Sequence, residues 1–420
     1  MNADTQIDTI KNHIAEPDNF IDGFPHSVFD KLRKESPISW SEWSGGTGFW
    51  SLTNYEDIGF VGSNPKIFSS ATENGGHRIF EEQEAGVAST GINNDTVVGA
   101  PFISRDAPLQ SDQRVPVMRS VSSTRLSDMK DRIRQRVIKL LDSAMGSDKV
   151  ELVEQVSASI PIKTLAELMD MPESMEGKLY EWTNALIGED DPEFRRSPEY
   201  MANISKEISE YFLGLRAQRI GSERADVVTM LSTDRNGIEV PAADFVANIF
   251  LVLVGGNETT RNSITGGILG FTQFPDQWNL LKKSPELLPN AVNEIVRWVS
   301  PVMHMRRTLL EDYTLNGTAM KKGDKVLLWY PSANRDESIW ENPHTFDISR
   351  PIIKHRGFGA GAHICVGSRL AELQISIFLE EFLKRCDSFA LDGIVSRIRS
   401  NFICGIKSLP LTMQWKKSGD

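Results

Sequence analysis

The stretch from Phe358 to Gly367 reads Phe-Gly-Ala-Gly-Ala-His-Ile-Cys-Val-Gly and places Cys365 between glycines, just before an amphipathic helix. The chain has only 3 cysteines, too few for a disulfide framework or a cysteine-rich zinc site. A lone thiolate at a helix start suits a single soft metal centre, with haem iron the leading candidate. Glycines would let a flat macrocycle approach the backbone. The alternative is an ordinary buried cysteine in a turn, as we expect for Cys386 and Cys404.

The pattern Phe-x-x-Gly-x-His-x-Cys-x-Gly in this stretch resembles the haem-ligand loop of the cytochrome P-450 superfamily, the haem-thiolate monooxygenases. The resemblance implies a mainly α fold with a small β part and a long central helix over the haem. It also implies haem b (iron protoporphyrin IX) as the cofactor, with Cys365 as the iron ligand. Phe358 would shield the sulfur from water, and Gly359 and Gly367 would border the haem.

Length, composition and charge bound the class of protein. The chain has 420 residues, of which 40% are hydrophobic and 25% charged, which is typical of a globular protein. A net charge of −11 argues against nucleic-acid binding. The N-terminus is polar, and the most apolar run, Phe245–Gly256, is too short to span a membrane, so we expect no membrane anchor. With few cysteines, these features predict a cytoplasmic protein, similar to soluble bacterial members of the superfamily. Without linkers or repeats, we expect a single haem-binding domain over 1–420.

Hydrophobic periodicity predicts a helix-rich chain with few strands. The longest helix is expected at Ala242–Phe274 and the last one at Cys365–Arg385. Ser27 and Ser197 are expected to cap helices. Further helices are expected at Ser27–Glu35, Arg125–Met145, around Lys163–Asp170, at Pro198–Ala217 and at Leu287–Val299, and strands at Gly48–Thr53, Tyr313–Asn316, Lys325–Trp329 and within Phe402–Met413.

A second motif, Gly-Gly-Asn-Glu-Thr-Thr at 255–260, lies inside the predicted long helix. Glycines in a helix interior cost roughly 1 kcal/mol each relative to alanine, which indicates that something needs the space they leave. The motif resembles the superfamily's Gly-Gly-x-acid-Thr-Thr segment above the haem. The resemblance implies that Gly255 borders the haem, that Thr259 hydrogen-bonds the oxygen substrate and that Glu258 relays protons as a general acid. Close helix packing by small residues, with Glu258 capping or solvated, is the alternative.

Charged residues in the C-terminal half predict a structural ion-pair cluster. Glu294 and Arg297 are three residues apart, so they share one face of a predicted helix. Most pairs with this spacing are weak surface pairs. Together with Arg350, which ends Phe-Asp-Ile-Ser-Arg, they resemble a buried triad of the superfamily that supports the cysteine loop. The role that this implies is structural and not catalytic.

The two propionates of a haem need cationic partners, and the arginine fork fits a carboxylate well. The resemblance implies this role for Arg307, His363 and Arg114. An ordinary surface charge is the alternative for Arg114. The superfamily often has a histidine four residues before this arginine, where this chain has Gln110. Whether Gln110 contacts a propionate is left open.

The resemblance is densest from about Val254 to Leu409, where it points to soluble terminal (omega) hydroxylases of medium-chain alkanes and fatty acids. It is thin within 72–100 and 183–196, where substrate contacts are usually made. Hydroxylation of a terpene or of a steroid side chain is therefore an alternative. Candidate substrate-pocket residues, each equally compatible with plain core packing, are Leu251, Val252, Val302, Met303, Ile403 and Cys404.

The reaction implied by the resemblance needs O2, an apolar small-molecule substrate and two electrons. The sequence has no flavin or iron–sulfur motif, so we expect a ferredoxin, with its ferredoxin reductase and NAD(P)H, to deliver the electrons. A haem-thiolate sensor without turnover and a peroxide-driven hydroxylase are alternatives that the acid–threonine pair disfavours. The expected docking patch near Cys365 comprises Arg119, Arg125, Lys130, Lys354 and Arg356.

Overall fold

The computed structural model describes residues 14–79, 99–187, 191–194 and 196–417. Helices dominate these residues and short strands make up a smaller part, which confirms the mainly α fold with a small β part. The helices are α1 (His26–Glu35), α2 (Tyr55–Ser63), α3 (Leu109–Ser120), α4 (Ser123–Ala144), α5 (Ser159–Leu168), α6 (Glu176–Ile187), α7 (Pro198–Arg219), α8 (Val227–Ser232), α9 (Ala242–Gln273), α10 (Pro275–Lys283), α11 (Leu288–Val299), α12 (Tyr330–Ala333) and α13 (Ser368–Arg385). The strands are β1 (Ile38–Trp43), β2 (Gly46–Leu52), β3 (Phe68–Ser69), β4 (Lys149–Glu151), β5 (His304–Leu309), β6 (Tyr313–Leu315), β7 (Thr318–Met320), β8 (Lys325–Trp329), β9 (Cys386–Leu391), β10 (Ser396–Arg397), β11 (Ile406–Ser408) and β12 (Pro410–Trp415).

The described residues contain four small sheets. The largest has the order β1-β2-β8-β5-β3, in which only β2 and β8 pair in parallel. Strand β8 coincides with the predicted strand, and all five of its side chains are buried. A short, continuous apolar run is the pattern of such a buried strand. Strands β4, β12 and β9 form a second sheet, and β6–β7 and β10–β11 form two-stranded sheets.

Helix α9 crosses the core, close to the bounds that the periodicity predicted. Its 32 residues span about 48 Å, and most of its side chains are buried. It packs against α5, α6, α11 and α13, and the last of these follows the cysteine loop. Within the described residues no helix combines the length and the apolarity needed to cross a membrane. The expectation of one domain over 1–420 stays a prediction.

One predicted helix start agrees with the structure, and two differ from it. Ser197 caps α7, because its side chain accepts a hydrogen bond from the Tyr200 backbone N–H. The prediction for Ser27 was wrong: α1 begins one residue earlier, at His26. The last helix begins at Ser368 and not at Cys365, so the cysteine lies in the preceding loop.

An ion-pair cluster joins α4 to the C-terminal end of α13. Glu381 on α13 is 2% exposed and bonds Arg134 of α4 at 2.6 Å, Lys384 at 2.7 Å and Arg385 at 2.8 Å. Burial opposes its charge, but these hydrogen bonds outweigh the burial and lower the pKa of Glu381 from 4.5 to about 2. The carboxylate therefore stabilises the fold above pH 4.5, and this contribution is lost as the pH falls towards 2.

We expect Glu381→Gln to lower the free energy of unfolding at pH 7 by roughly 3 kcal/mol, because a pKa lowered from 4.5 to about 2 corresponds to that energy. Urea unfolding at several pH values measures the effect. The difference between variant and wild type should shrink as the pH falls below 4.5. Glu210→Gln is a matched control, since Glu210 is 68% exposed in a long surface pair. A difference for Glu381→Gln that is independent of pH would contradict the prediction.

Candidate active site

Glycines give the cysteine loop its shape. Gly359 and Gly361 have φ values of 77° and 70°, a region that glycine adopts without strain. A Cβ at Gly361 would lie 2.0 Å from the carbonyl oxygen of Gly62 on α2, so a side chain there would push the loop off that helix. The Cys365 N–H donates to the Phe358 carbonyl at 2.9 Å and closes the loop. Phe358 itself is half-buried, with its ring 5.3 Å from that of His355.

Helix α3 holds the same loop from the other side. Gln110 Nε2 donates to the Ala362 carbonyl at 2.9 Å, and Arg114 Nη2 donates to the Ile364 carbonyl. The two donors are one helical turn apart, so they act on the loop together. Gln110 thus contacts the main chain of the loop. The sequence had left open whether this side chain contacts a propionate. The surface-charge alternative for Arg114 does not hold, because this side chain is partly buried.

The Cys365 thiol lies at the edge of this loop with its sulfur surface free. Although the residue is accessible, the protein around it desolvates the thiol, and this burial raises the pKa of the thiol. The Gly367 backbone N–H and the Arg114 guanidinium act in the opposite direction and favour the thiolate. The loop therefore presents a sulfur with one hydrogen-bond donor and one cation beside it.

Cationic and imidazole side chains gather around His363 of the cysteine loop. Arg307 is 3% exposed, donates to the Arg306 carbonyl at 2.7 Å and forms no ion pair within the described part of the chain. The His363 Nε2 lies 3.3 Å from the Ser70 hydroxyl. Burial, Arg307 and Arg114 lower the pKa of His363 to about 3, so the ring is neutral at pH 7. The group is rich in donors and poor in carboxylates.

Two members of this group escaped the sequence analysis. His77 is buried, and its Nδ1 lies 2.5 Å from the Ser104 hydroxyl. Burial, Arg78 and Arg307 lower its pKa to about 3. The other is Asp106, the nearby carboxylate, which accepts from the Ser70 backbone N–H at 3.0 Å. Both belong to irregular segments without a motif, so no local signal could have marked them.

The space around the glycines of α9 distinguishes the two interpretations of its motif, which are a border to the haem and close packing between helices. A Cβ at Gly255 would meet no atom within 4 Å, and one at Gly256 would only touch Leu165 at 3.3 Å. By contrast, a Cβ at Gly266 or Gly267 would come within 2.8 Å of α11 side chains. Close packing by small residues therefore occurs three turns further on, and Gly255 borders open space.

The acid and hydroxyl of the α9 motif are held in defined positions. Thr259 Oγ1 donates to the Gly255 carbonyl at 2.8 Å, as a threonine within a helix can. Glu258 is fully buried; one of its oxygens accepts from Arg261 and from Asn262 Nδ2 at 2.8 Å. Its other oxygen has no partner among the described residues. Glu258 is thus neither a cap nor solvated, and its proton-relay role stays a prediction.

The residues present fit a haem. The Cys365 sulfur is the soft ligand that haem iron takes. Arg307, Arg114 and His363 offer donors without a bonded carboxylate, which suits two propionates. A Cβ at Gly367 would also meet no atom within 4 Å, so the backbone there, as at Gly255, leaves room for a flat group.

The predicted structural triad forms a connected cluster. Arg297 Nε and Nη2 each donate to Glu294 at 2.6 Å, and Arg350 Nε lies 3.4 Å from the same carboxylate. Arg297 is fully buried and also donates to the carbonyls of Asn334, Pro343 and Thr345. The cluster therefore ties α11 to the segment that leads into the cysteine loop. Its supporting role stays a prediction.

The candidate pocket residues do not share one surface. Leu251 and Val252 are half-buried on the largest core cluster, one turn before Gly255. Val302 is half-buried and pairs with Ile403 through an isolated β-bridge, but Ile403 is only 5% exposed.

Two of the other candidates belong to a separate core. Met303 is 1% exposed and packs with Trp329 in a cluster around α1. Cys404 packs against that cluster too, so neither fits the expectation of a substrate contact beside α9.

The expected docking patch is only partly available. Arg119, Lys130 and Lys354 are exposed. Arg356 is not a free surface charge, because its guanidinium lies 3.8 Å from the centre of the Tyr55 ring. Substrate segments within 80–98 and 188–190 lie outside the described residues.

Comparisons with known proteins agree with this geometry. The sequence profile of the family described as Cytochrome P450 matches residues 267–403. A linalool 8-monooxygenase from Pseudomonas putida is 45% identical over 95% of this chain and 98% of its own length. A methyl-branched lipid omega-hydroxylase from Mycobacterium tuberculosis is 33% identical over 92% and 90%. The structure of cytochrome P450-153 from Novosphingobium aromaticivorans superposes with a TM-score of 0.84 at 31% identity, covering 96% of this chain and 99% of that one. The likeness confirms the predicted fold.

Proposed function

This chain belongs to the cytochrome P450 family and is a haem b monooxygenase, and on that premise we propose that it hydroxylates a terminal methyl carbon of a branched apolar chain. The substrate that we propose is an acyclic monoterpene alcohol of the linalool type. The observation that carries the proposal is the 45% identity to the linalool 8-monooxygenase over 95% of the chain. Carbon 8 of linalool and the omega carbon of a methyl-branched lipid are both ends of branched chains, so the relatives support one regiochemistry.

A straight medium-chain alkane or fatty acid is the second candidate. The omega-hydroxylase relative, at 33% identity, supports attack at a chain end in a lipid. The half-buried Leu251 and Val252 suit either substrate, since both present only apolar atoms beside Gly255.

Each group of residues has a distinct task in the proposed reaction. When bound, the haem supplies O2 activation and the insertion of one oxygen atom into a C–H bond. Cys365 would be its ligand, and Arg307, Arg114 and His363 would hold its propionates. Leu251 and Val252 would orient the apolar chain and exclude water. The Thr259 hydroxyl and the Glu258 carboxylate would hold protons near Gly255.

We propose that electrons come from a ferredoxin and its reductase. The exposed Arg119 and Lys130 and the helix that follows the cysteine loop would lie on the docking side. Acidic ferredoxins are steered by such charges, so reduction should slow as salt increases.

Spectral titration and product analysis test the substrate proposal. We expect linalool to shift the ferric Soret band to the high-spin form and to be converted, with ferredoxin, reductase and NAD(P)H, to an alcohol at its terminal methyl carbon. Decane, decanoate and a steroid with an intact side chain are the comparison compounds. If decane or decanoate is turned over and linalool is not, the second candidate replaces the first.

We expect Thr259→Ala to lower product formed per NAD(P)H consumed by about 100-fold, because a positioned proton donor contributes a factor of this order. Electron consumption should continue and appear as hydrogen peroxide. Thr259→Ser keeps the hydroxyl and should recover most of the yield. Ser263→Ala, one turn on, is a matched control, because its hydroxyl donates to the Thr259 carbonyl and not towards Gly255. Unchanged yield in Thr259→Ala would exclude a proton-delivering role for this hydroxyl.

A further inference from the structure

A second cleft lies along the C-terminal half of α9, away from the haem-side motif. It is lined by Gly266, Leu269 and Gln273 of this helix. Leu269 follows Thr259 by ten residues, about 15 Å along the helix axis. From its lining we infer that this cleft binds a single-chain carboxylate amphiphile, a medium-chain fatty-acid anion, at a site separate from the haem pocket. The inference is independent of the substrate proposed above.

One part of the cleft is lined mostly by apolar side chains. It has a volume of about 550 Å³, within the range of about 300–1,000 Å³ that is common for small-molecule sites. Leu269, Phe389 and Val395 line it. At its rim Ile21 is 47% exposed and Leu391 43% exposed. Such surface gains stability when an alkyl chain covers it.

The adjoining part of the cleft is cationic. It has a volume of about 240 Å³ and shares Leu269, Gln273 and Arg397 with the apolar part. Arg335 lines it and is 2% exposed. Its guanidinium donates to the carbonyls of Arg297 at 3.3 Å and Trp298 at 3.0 Å, while its Nε has no acceptor among the described residues. The Trp298 ring lies 4.1 Å from the guanidinium carbon, but no carboxylate is bonded to this arginine, and a buried charge without a counter-charge is costly.

Two carboxylates that act electrostatically on Arg335 are already engaged. Glu294 is bonded to Arg297, and Asp30 is bonded to Arg33 and to His344 at 2.9 Å. Burial and the like charge of Arg297 lower the pKa of Arg335, and a bound anion would act in the opposite direction by stabilising the charged guanidinium.

The remaining lining groups also favour an anion. Arg397 forms no ion pair within the described part of the chain, although Asp22 lines both parts of the cleft. His26 contributes an Nδ1 without a described partner, and burial keeps this ring neutral. Two arginines therefore face one exposed carboxylate. The small cationic part of the cleft suits a carboxylate, and the adjoining apolar part suits one alkyl chain.

Calorimetric titration of the holoenzyme with decanoate tests the site. The haem iron is first saturated with 4-phenylimidazole, and the Soret band is monitored to verify that the azole stays bound. We expect one decanoate per protein under these conditions. Arg397→Gln should weaken decanoate binding by about tenfold or more, the effect of losing one charge-assisted hydrogen bond. Decan-1-ol should bind more weakly, with an affinity that Arg397→Gln leaves unchanged.

Two controls keep each result decisive. Arg224→Gln removes an exposed arginine outside the cleft and should leave decanoate binding unchanged. Val395→Asp places a charge in the apolar part of the cleft and should weaken the binding of decanoate and of decan-1-ol alike. The absence of binding heat in the azole-blocked enzyme would overturn the inference. Equal decanoate affinity in Arg397→Gln and wild type would overturn it too, because the carboxylate would then not be recognised.

Discussion

Cys365→Ser should lower hydroxylation by at least about 1,000-fold, equivalent to about 4 kcal/mol in the activation barrier. A serine oxygen is a harder and less electron-donating ligand than a thiolate, so it would not support O–O cleavage by the haem. The fold should persist, because the loop is closed by the Cys365 backbone N–H and clamped through its carbonyls by Gln110 and Arg114. The measurements are product formation and the spectrum of the dithionite-reduced, carbon-monoxide-bound protein, which should lose the strongly red-shifted Soret band.

Cys404→Ser is the matched control for this prediction. Cys404 is also a free, partly exposed cysteine, but it packs on the separate cluster around α1. It should keep the red-shifted band and near-normal turnover. Retention of the band in folded, haem-loaded Cys365→Ser would contradict the ligand assignment and, with it, the proposed roles of the residues around the loop.

Glu294→Gln should destabilise the fold by about 3–5 kcal/mol, the usual cost of leaving one partner of a buried ion pair without its counter-charge. The amide keeps the size of the side chain but cannot neutralise Arg297, which is fully buried, and it weakens the contact to Arg350. Urea unfolding and the fraction of chain that retains haem measure the effect. The haem should be lost together with stability, since the cluster borders the segment leading into the cysteine loop.

Glu337→Gln is the comparison for that experiment. Glu337 also pairs with an arginine, Arg33, at 3.3 Å, but it is 42% exposed. Its replacement should cost less than about 1 kcal/mol, because the Glu337 carboxylate is largely solvated and the buried Arg33 keeps its ion pair with Asp30. Similar losses from both variants would mean that burial of the triad contributes nothing, contrary to the role proposed for it.

Helices, strands and caps that depend on residues close together in the sequence could be predicted. Helix α9 and strand β8 were placed within a residue or two, because their apolar patterns are long or continuous. The cap at Ser197 was also found, since a side chain bonding three residues ahead is a local interaction. Ser27 is not a cap, because α1 begins at His26 with Pro25 before it, so Ser27 lies inside the helix.

Interactions between distant segments could not be predicted in the same way. Gln110 matched no motif position, and only the packing of α3 against the loop shows that it bonds Ala362. His77 joins the cationic group across more than 200 residues of chain. Met303 is apolar, as a pocket residue would be. Its burial against Trp329 follows from the packing of the sheet and not from its neighbours in the sequence.

The contacts of Arg297 also determine the order in which this part of the fold can form during synthesis. Three of the carbonyls that surround its guanidinium belong to residues 37, 46 and 48 positions further along the chain. At about 5–20 residues per second, a ribosome needs roughly 2–10 s to make that segment. During this interval α11 already carries the Glu294–Arg297 pair, but the pair has no enclosure. The cysteine loop, made later still, can therefore reach its final support only near the end of translation.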